Sequence, residues 1–400
     1  MKKLMLLGGS LFALPAIKAA HKQGYYVITC DYLPDNIAHK YSDEYHNVSV
    51  TDCETVLKVA RECKIDGIIS FACDAGAMAT AYVQEKMGLP SIGPYESICI
   101  LQNKDKFRQF LSKHGFTVPK AKGFSSLEEA LADKCWYPWP VIVKPTDSAG
   151  SKGVTRVDSY ENLKPALELA FEHALHGHVI VEEFIEKQGC SSDSDCFSVN
   201  GELSFVSFSA QRFDENAAGI YVPAAFSWPS TMNMQQEAEL TSELQRLLSL
   251  LGMKTTIYNV ETRISTNGKE YIMEVSPRAG GNRLAEVVSM ATGVDLVTAS
   301  VRAAVGDEIG DLRFRPYQGY WAEVILHASE EGIFSRLVVD NEKVGAEVID
   351  QMLTVKPGDK VERFDGGNHA IGTLVVKFQT AEEQEKAMND ISSWVKVELK

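Results

Sequence analysis

Two glutamates and an arginine lie close together near the middle of the sequence. Glu261 and Glu274 are thirteen positions apart, and Arg278 follows four residues later. The residues between the glutamates form two alternating runs around Asn267-Gly268, which predicts a β-hairpin with both carboxylates on one face. Two hard oxygen donors beside an arginine suit a divalent cation that bridges phosphates. A pair of solvated surface acids is the alternative.

A lysine-ended strand runs into a segment rich in glycine and serine. The run VIVKP, residues 141–145, predicts a buried strand that presents Lys144 at its end. The next segment, TDSAGSKGV, supplies two serines and two glycines: Ser148, Gly150, Ser151 and Gly153. Backbone N–H groups of such a loop can wrap a polyphosphate. The segment does not match the G-x-x-x-x-G-K-[ST] phosphate loop, so the glycines alone do not establish the site.

Two more segments could contact a nucleotide. The helix predicted over 95–118 carries a basic cluster that contains Lys104, and a solvated helix face is its alternative interpretation. The strand HVIVEEFI, residues 178–185, could read a base edge through its backbone while Phe184 and Ile185 make apolar contact. An ordinary strand with its acids at a sheet edge is the alternative there.

Composition excludes several classes of partner. Four hundred residues predict more than one domain, and the net charge of −14 argues against nucleic acid or an anionic membrane. The eight cysteines form no Cys-x-x-Cys pair, so we expect free thiols in a reducing cytosol. The first 20 residues resemble a signal peptide, but Gly8-Gly9 interrupts the apolar run, which favours a strand, a turn and a helix. No stretch reaches the roughly 18 apolar residues of a membrane span.

Strand and helix patterns alternate over residues 1–94 and predict a small open α/β domain. Asp31 and Asp74 end two of its strands, where they either face a ligand or cap the following turns. The loop within 209–232 is either a substrate lid or packing at a domain seam. Its Arg212 could hold a substrate carboxylate, although we expect a surface or ion-paired arginine.

The last part of the chain, from about 313 to 400, alternates short strands with turns and predicts an α+β unit that ends in a helix over 381–394. The order of all these features resembles the ATP-grasp superfamily, in the subgroup of carbamoyl-phosphate synthase large chain, biotin carboxylase and carboxylate–amine ligases. The resemblance implies an α/β fold with a Rossmann-like domain at 1–94, a two-lobed α+β body at 95–312 and a small β-rich domain at 313–400. It also implies a mobile lobe at about 119–185 that covers the nucleotide.

The resemblance assigns a role to each motif. Lys104 and Lys144 match the lysines that contact the nucleotide phosphates, and residues 148–153 match the loop that closes on them. Glu182 and Ile185 match the residues around the adenine amino group, with the backbone of Glu183 and Phe184 between them. The other matches are two magnesium ligands and the arginine that steadies the transferred phosphoryl group: Glu261, Glu274 and Arg278.

Two positions depart from the family pattern. The third metal ligand is usually an asparagine, and here it is Ser276, whose hydroxyl can bind a metal or a metal-bound water. A glutamate usually contacts the ribose, and here Ser191 aligns with it. The possible substitutes are nearby acids: Glu186, Asp193 and Asp195.

The resemblance implies a cytoplasmic, ATP-dependent ligase that uses Mg²⁺ or Mn²⁺ and forms ADP, with Lys144 and Arg278 acting in catalysis. Its partners would be a small carboxylate and an amine, with neither nucleic acid nor membrane involved, and a homodimer is possible. A bicarbonate-activating carboxylase of the same fold and a regulatory nucleotide-binding protein without turnover are the alternatives.

Overall fold

The computed structural model describes residues 1–148 and 150–400, and its first unit is a parallel sheet. The strands are β1 (Lys3–Leu7), β2 (Tyr26–Asp31), β3 (Glu44–Asn47) and β4 (Gly67–Ser70), in the order β3-β2-β1-β4. The helices that connect and follow them are α1 (Leu14–Lys22), α2 (Cys53–Cys63) and α3 (Ala77–Met87). Strands β1, β2 and β4 are buried apolar runs, as a parallel sheet covered on both faces requires.

The open α/β fold predicted for this region is confirmed, with one strand that the sequence did not indicate. The sequence of β3 is EYHN, which has no apolar run, and its residues are all at least partly exposed at the edge of the sheet. Edge strands need no buried apolar face, so the hydrophobic pattern gives little signal for them.

A second, antiparallel sheet is built mainly from residues 121–183. Two helices lead into the sheet, α4 (Tyr95–Leu101) and α5 (Lys104–Lys113), and two more cover it, α6 (Leu127–Ala132) and α7 (Leu163–His173). Its strands are β5 (Ala121–Phe124), β6 (Val141–Pro145), β7 (Thr155–Val157) and β8 (Val179–Glu183). They lie in the order β5-β8-β6-β7. Burial alternates along β6, so Val141 and Val143 face the apolar core. Lys144 therefore emerges on the opposite face, as the sequence predicted.

A third sheet has the order β10-β9-β13-β14 and carries the predicted hairpin. The elements of this stretch are β9 (Ser192–Val199), β10 (Glu202–Phe205), β11 (Ala210–Phe213), β12 (Pro223–Trp228), α8 (Met234–Leu251), β13 (Thr256–Ile264) and β14 (Glu270–Ser276). Gly268 turns the hairpin with a φ of +81°, a conformation that glycine adopts without strain. Glu261 pairs directly with Glu274 across the hairpin after a register shift between Glu261 and Thr262, so the predicted hairpin with the two glutamates on neighbouring strands is confirmed.

Two short apolar helices follow the hairpin, α9 (Leu284–Thr292) and α10 (Leu296–Ala304). In the part of the chain that the structure describes, no single helix has both the length and the apolar character needed to cross a membrane. Taken together, α9 and α10 satisfy that criterion by length and composition only, and they are bent by 118° at their junction.

The remaining elements form a fourth sheet and a small three-stranded one. They are β15 (Tyr320–Leu326), β16 (Gly332–Val339), β17 (Glu347–Leu353), β18 (Lys360–Val361), β19 (Gly372–Phe378), α11 (Ala381–Asn389) and β20 (Val395–Leu399). The sheet orders are β11-β12-β15-β19-β17 and β18-β16-β20. Strands β11 and β12 thus pair with a strand beyond residue 312, so the fourth sheet crosses the boundary proposed at 312/313.

The final helix is shorter than predicted. Helix α11 ends at Asn389, and after a short turn the chain enters β20, which pairs with β16. Trp394 is buried, and its indole N–H donates to the carbonyl of Ala387 at 3.0 Å. The tryptophan therefore packs back on the end of the helix instead of continuing it.

Candidate active site

A cavity of about 1420 Å³ lies where the second, third and fourth sheets meet the N-terminal domain. Most residues predicted for the site line it: Lys104, Lys144, Ser148, Gly150, Ser151, Glu182, Glu183, Phe184, Ile185, Glu261, Glu274 and Arg278. Gly153 and Ser276 do not line it. Segments separated by more than 150 residues thus converge on one space.

Three carboxylates occupy neighbouring positions on three strands beside the cavity. Glu261 pairs in register with Glu274 on one side and with Asp193 on the other. The cations near them are loosely placed: Lys104 Nζ is 3.3 Å from Glu274, and an Arg263 nitrogen is 3.7 Å from Glu261. Burial and the facing Glu261 carboxylate raise the pKa of Asp193 to about 7. This set of hard oxygen donors fits Mg²⁺ or Mn²⁺.

Lys144 belongs to a buried group with Glu182 and Arg108, which we call the hinge triad. Lys144 Nζ is 2.9 Å from Glu182 Oε2, and Arg108 Nε is 2.9 Å from Oε1. Burial alone would raise the pKa of Glu182, but Arg108 and then Lys144 outweigh it and hold that pKa at about 2. Burial lowers the pKa of Lys144, a loss that Glu182 partly offsets. The predicted phosphate lysine is therefore held in place by the predicted adenine-contact residue.

The loop at residues 148 and 150–153, which we call the glycine loop, borders the cavity. Ser148 accepts a hydrogen bond from Lys104 Nζ at 3.2 Å through its carbonyl, and the Ser151 hydroxyl donates to the carbonyl of Tyr221 at 2.9 Å. Gly153 has a φ of +70°, and a Cβ there would lie 3.1 Å from His173 and 3.2 Å from Pro145. Glycine is thus required for the loop to pack against β6. Ala149 lies outside the described residues.

Most backbone N–H groups of the hinge, residues 183–185, already donate hydrogen bonds within the protein. The N–H groups of Glu183 and Phe184 donate to the carbonyls of Lys120 and Pro140, at 2.8 and 2.9 Å. In the described chain the N–H of Ile185 makes no hydrogen bond, so it is the donor that remains for a base edge. The Arg156 guanidinium lies over the Phe184 ring, 4.3 Å from its centre, and covers one face of that ring.

The four candidate residues for ribose contact differ in whether they line the cavity. Ser191 is fully buried, and its hydroxyl accepts from Arg263 Nε at 3.3 Å. Asp195 is also fully buried and accepts from the N–H of Gly280 at 2.8 Å. Glu186 and Asp193 line the cavity instead, so they are the two candidates that a ribose could reach.

Arg278 is oriented by a residue of the N-terminal domain. Its Nε and Nη2 donate to the two carboxylate oxygens of Asp74, at 2.7 and 2.6 Å. Ser276, the position that departs from the family, donates its hydroxyl proton to the same carboxylate at 2.8 Å. Asp74 therefore reaches the site instead of merely capping the turn after its strand.

Sequence reasoning missed several contributors, and one expectation was wrong. Arg108 lies four residues after Lys104 on α5, so the helical period could have placed both on one face. Asn259 donates to Asp193 at 2.7 Å, and no motif in the sequence indicated Asn259. Arg212, expected to be exposed or ion-paired, is half-buried; it donates to Ser227 Oγ at 2.6 Å and forms no ion pair in the described chain. Arg212 lines the cavity, which explains why its side chain is neither exposed nor ion-paired within the described residues.

Comparison with known proteins identifies the fold of this chain. Residues 137–286 match the model of the ATP-grasp domain family. The L-amino acid ligase from Bacillus licheniformis superimposes with a TM-score of 0.81 at 19% identity, over 100% of this chain and 99% of that one. The chain thus has the ATP-grasp fold, and the resemblance seen in the sequence is confirmed.

Two curated relatives are similar over most of the chain. Carbamoyl phosphate synthase large chain of Clostridium perfringens is 25% identical over 334 residues, which are 82% of this chain and 30% of that protein. Formate-dependent phosphoribosylglycinamide formyltransferase of a Synechococcus strain is 28% identical over 316 residues, 78% of each chain. The chain therefore spans about a third of the length of the carbamoyl phosphate synthase chains that it matches.

Proposed function

We propose that this protein is an ATP-dependent ligase that activates a small carboxylate as an acyl phosphate for attack by an amine, forming ADP and phosphate. One observation carries the proposal. Three cations, Lys104, Lys144 and Arg278, converge on one cavity with the Glu261–Glu274 pair and a glycine loop. Its relatives include proteins named as a ligase, a synthase and a formyltransferase, which supports the same chemistry.

The reaction divides into two balanced steps. A carboxylate oxygen of the acid attacks the γ-phosphorus of ATP, the bond from that phosphorus to the β-phosphate oxygen breaks, and ADP leaves. The amine nitrogen then attacks the acyl carbon, the carbon–oxygen bond to phosphate breaks, and the nitrogen loses one proton. Lys104, Lys144 and Arg278 neutralise the phosphates so that an anionic acid can approach, and catalysis is positioning plus electrostatics.

A divalent cation fits the same site. Glu261 and Glu274 would hold Mg²⁺ or Mn²⁺, with Asp193 beside them. When bound, the ion would supply positive charge that neutralises the phosphates of the nucleotide. Ser276 has committed its proton to Asp74, so only its oxygen lone pairs remain for a ligand. The loop at 148–153 would exclude water, which otherwise hydrolyses an acyl phosphate.

ATP-dependent phosphate release, measured over a panel of acids and amines, tests the proposal. The wild type should release phosphate only when one matching pair is present. Glu274→Ala and Arg278→Ala should each lower kcat by about 100-fold or more, because each removes a group that stabilises charge in the transition state. Glu270→Ala is the matched control, because it lies at the start of the same strand and does not line the cavity.

Two results would contradict the proposal. Phosphate release stimulated by bicarbonate alone would favour the carboxylase alternative. Tight ATP binding without turnover across the whole panel would favour a regulatory protein. Unchanged kcat in Glu274→Ala or Arg278→Ala would remove the assigned mechanism even if a substrate pair is found.

A further inference from the structure

Asp74 and Arg278 join two domains that are far apart in sequence. Asp74 follows β4 at the start of the turn into α3, and Arg278 follows β14, 204 residues later. The two parallel hydrogen bonds of 2.7 and 2.6 Å form the bidentate arrangement that fixes both the position and the plane of a guanidinium. The Arg278 side chain is only 9% exposed, so this contact is largely shielded from water.

The remaining donors of Arg278 can be counted. A guanidinium carries five N–H groups. Nε and Nη2 use two of them on Asp74, and Nη1 uses a third on the carbonyl of Ala279 at 2.9 Å. Two N–H groups are left on a side chain that lines the cavity. Asp74 thus fixes the orientation of Arg278 without consuming its capacity to bind a phosphoryl group.

Other groups support the same carboxylate. The Ser276 hydroxyl donates to Asp74 Oδ1 at 2.8 Å. Ser276, at the end of β14, and Arg278, two residues later, therefore both hold Asp74. Asp74 thus accepts three hydrogen bonds from this part of the chain, two from Arg278 and one from Ser276.

We propose that Asp74 is a positioning residue for phosphoryl transfer: the N-terminal domain carries it to Arg278, whose guanidinium it orients toward the nucleotide phosphates. The site is then complete only when the N-terminal domain is docked on the body. The serine at 276 belongs to this arrangement, since its hydroxyl is a second support for Asp74. The chemical part of the inference rests on the proposed ligase function, whereas the geometric part does not.

A kinetic experiment separates positioning from a merely structural ion pair. Asp74→Asn keeps the shape but cannot accept both hydrogen bonds, so kcat should fall by about 100-fold while the KM for ATP changes by less than about 3-fold. Asp74→Glu should recover part of kcat, and added formate should restore part of the activity of Asp74→Gly. Asp31→Asn is the matched control: Asp31 ends β2 in the same domain and accepts from the N–H of Gly9 at 2.7 Å, with no bond to Arg278.

A binding experiment gives a result that does not depend on turnover. Calorimetry would compare MgADP alone with MgADP plus orthovanadate, which mimics the transferred phosphoryl group. Wild type and Asp31→Asn should bind MgADP more tightly when vanadate is present. Asp74→Asn should bind MgADP equally well but lose at least about 10-fold of that vanadate effect.

The outcomes distinguish the two proposals. If Asp74→Asn keeps kcat or the vanadate effect within 2-fold of wild type, Asp74 does not position Arg278. The same conclusion follows if Asp31→Asn loses as much as Asp74→Asn, or if formate has no effect on Asp74→Gly. A wild type that binds MgADP and vanadate but turns over no acid–amine pair would overturn the ligase function alone, and the vanadate comparison would still decide the role of Asp74.

Discussion

Two groups of fully buried carboxylates lie in this molecule in opposite electrostatic environments. In the hinge triad, the carboxylate of Glu182 has two cations, Arg108 and Lys144, each with a nitrogen 2.9 Å away, and its pKa falls to about 2. Behind the loop that follows Arg278, Asp195 and Glu323 accept backbone N–H groups instead. We call Asp195 and Glu323 the loop acids. Burial raises their pKa values to about 7 and about 8.

The difference shows that similar burial serves two purposes. The hinge triad carries permanent charges, so it can hold Lys144 toward a polyphosphate over a wide pH range. The loop acids hold the loop that follows Arg278 through Gly280 N–H and Arg283 N–H, at 2.8 and 3.0 Å. A protonated carboxyl still accepts a hydrogen bond, so this anchoring does not need a charge. Each loop acid leaves its second oxygen without a partner in the described chain.

Removing the central charge of the hinge triad should have the largest effect. Glu182→Gln would leave Arg108 and Lys144 buried without a counter-charge, which should lower the free energy of unfolding by about 3–5 kcal/mol. Urea unfolding at pH 7 measures this change. Glu183→Gln is the control at the next position, where the side chain is half-buried and forms no ion pair in the described chain. Equal effects of the two variants would contradict the paired-charge interpretation.

Removing one of the two cations should have an intermediate effect. In Arg108→Met, Glu182 keeps Lys144, so we expect a loss of about 1–3 kcal/mol. Because its folded pKa lies below the unfolded value, Glu182 stabilises the fold above about pH 4, and that contribution is lost as the pH falls toward 2. The variant should complete this loss at a higher pH than the wild type. Urea unfolding between pH 2 and 6 tests the shift, and coincident profiles would argue against it.

Neutralising a loop acid should have the smallest effect and the opposite sign. The folded pKa of Glu323 is raised to about 8, above its unfolded value, so protonated Glu323 contributes to the stability of the fold in full below about pH 4. That contribution is lost as the pH rises to 8. Glu323→Gln resembles the protonated acid, so at pH 8.5 it should be more stable than the wild type by on the order of 1 kcal/mol. The two proteins should converge near pH 5. A variant that is less stable than the wild type at pH 8.5 would show that the folded pKa of Glu323 is not raised above its unfolded value.

Local patterns were enough to predict the hairpin and the strand that presents Lys144. Two alternating runs and Asn267-Gly268 predict the hairpin and put Glu261 and Glu274 on neighbouring strands, whereas the register shift between Glu261 and Thr262 that brings the two glutamates opposite each other has no signal in the pattern. The alternating burial of β6 likewise places Lys144 on the face away from the core. These features depend on residues that are close together in the sequence, so the sequence alone is enough to predict them.

Contacts between distant segments could not be predicted in the same way. Asp74 was expected either to face a ligand or to cap a turn, because nothing in its neighbourhood indicates a residue 204 positions away. Glu182 was assigned to adenine by resemblance, while its two cationic partners come from α5 and β6. The Ser276 hydroxyl acquires a defined partner only when two domains meet. Such contacts follow from domain packing, for which local periodicity carries no signal.

The fourth sheet affects how this gene can be recombined. Strand β12 pairs with β15, so residues on the two sides of position 312 share one hydrogen-bonded ladder. A chimaera joined at that position would combine half of the ladder from each parent and would have to match registers that evolved separately. A truncation after residue 312 would expose the edge of β12 and invite aggregation. The strands from 210 to 228 therefore need to be exchanged together with the C-terminal segment.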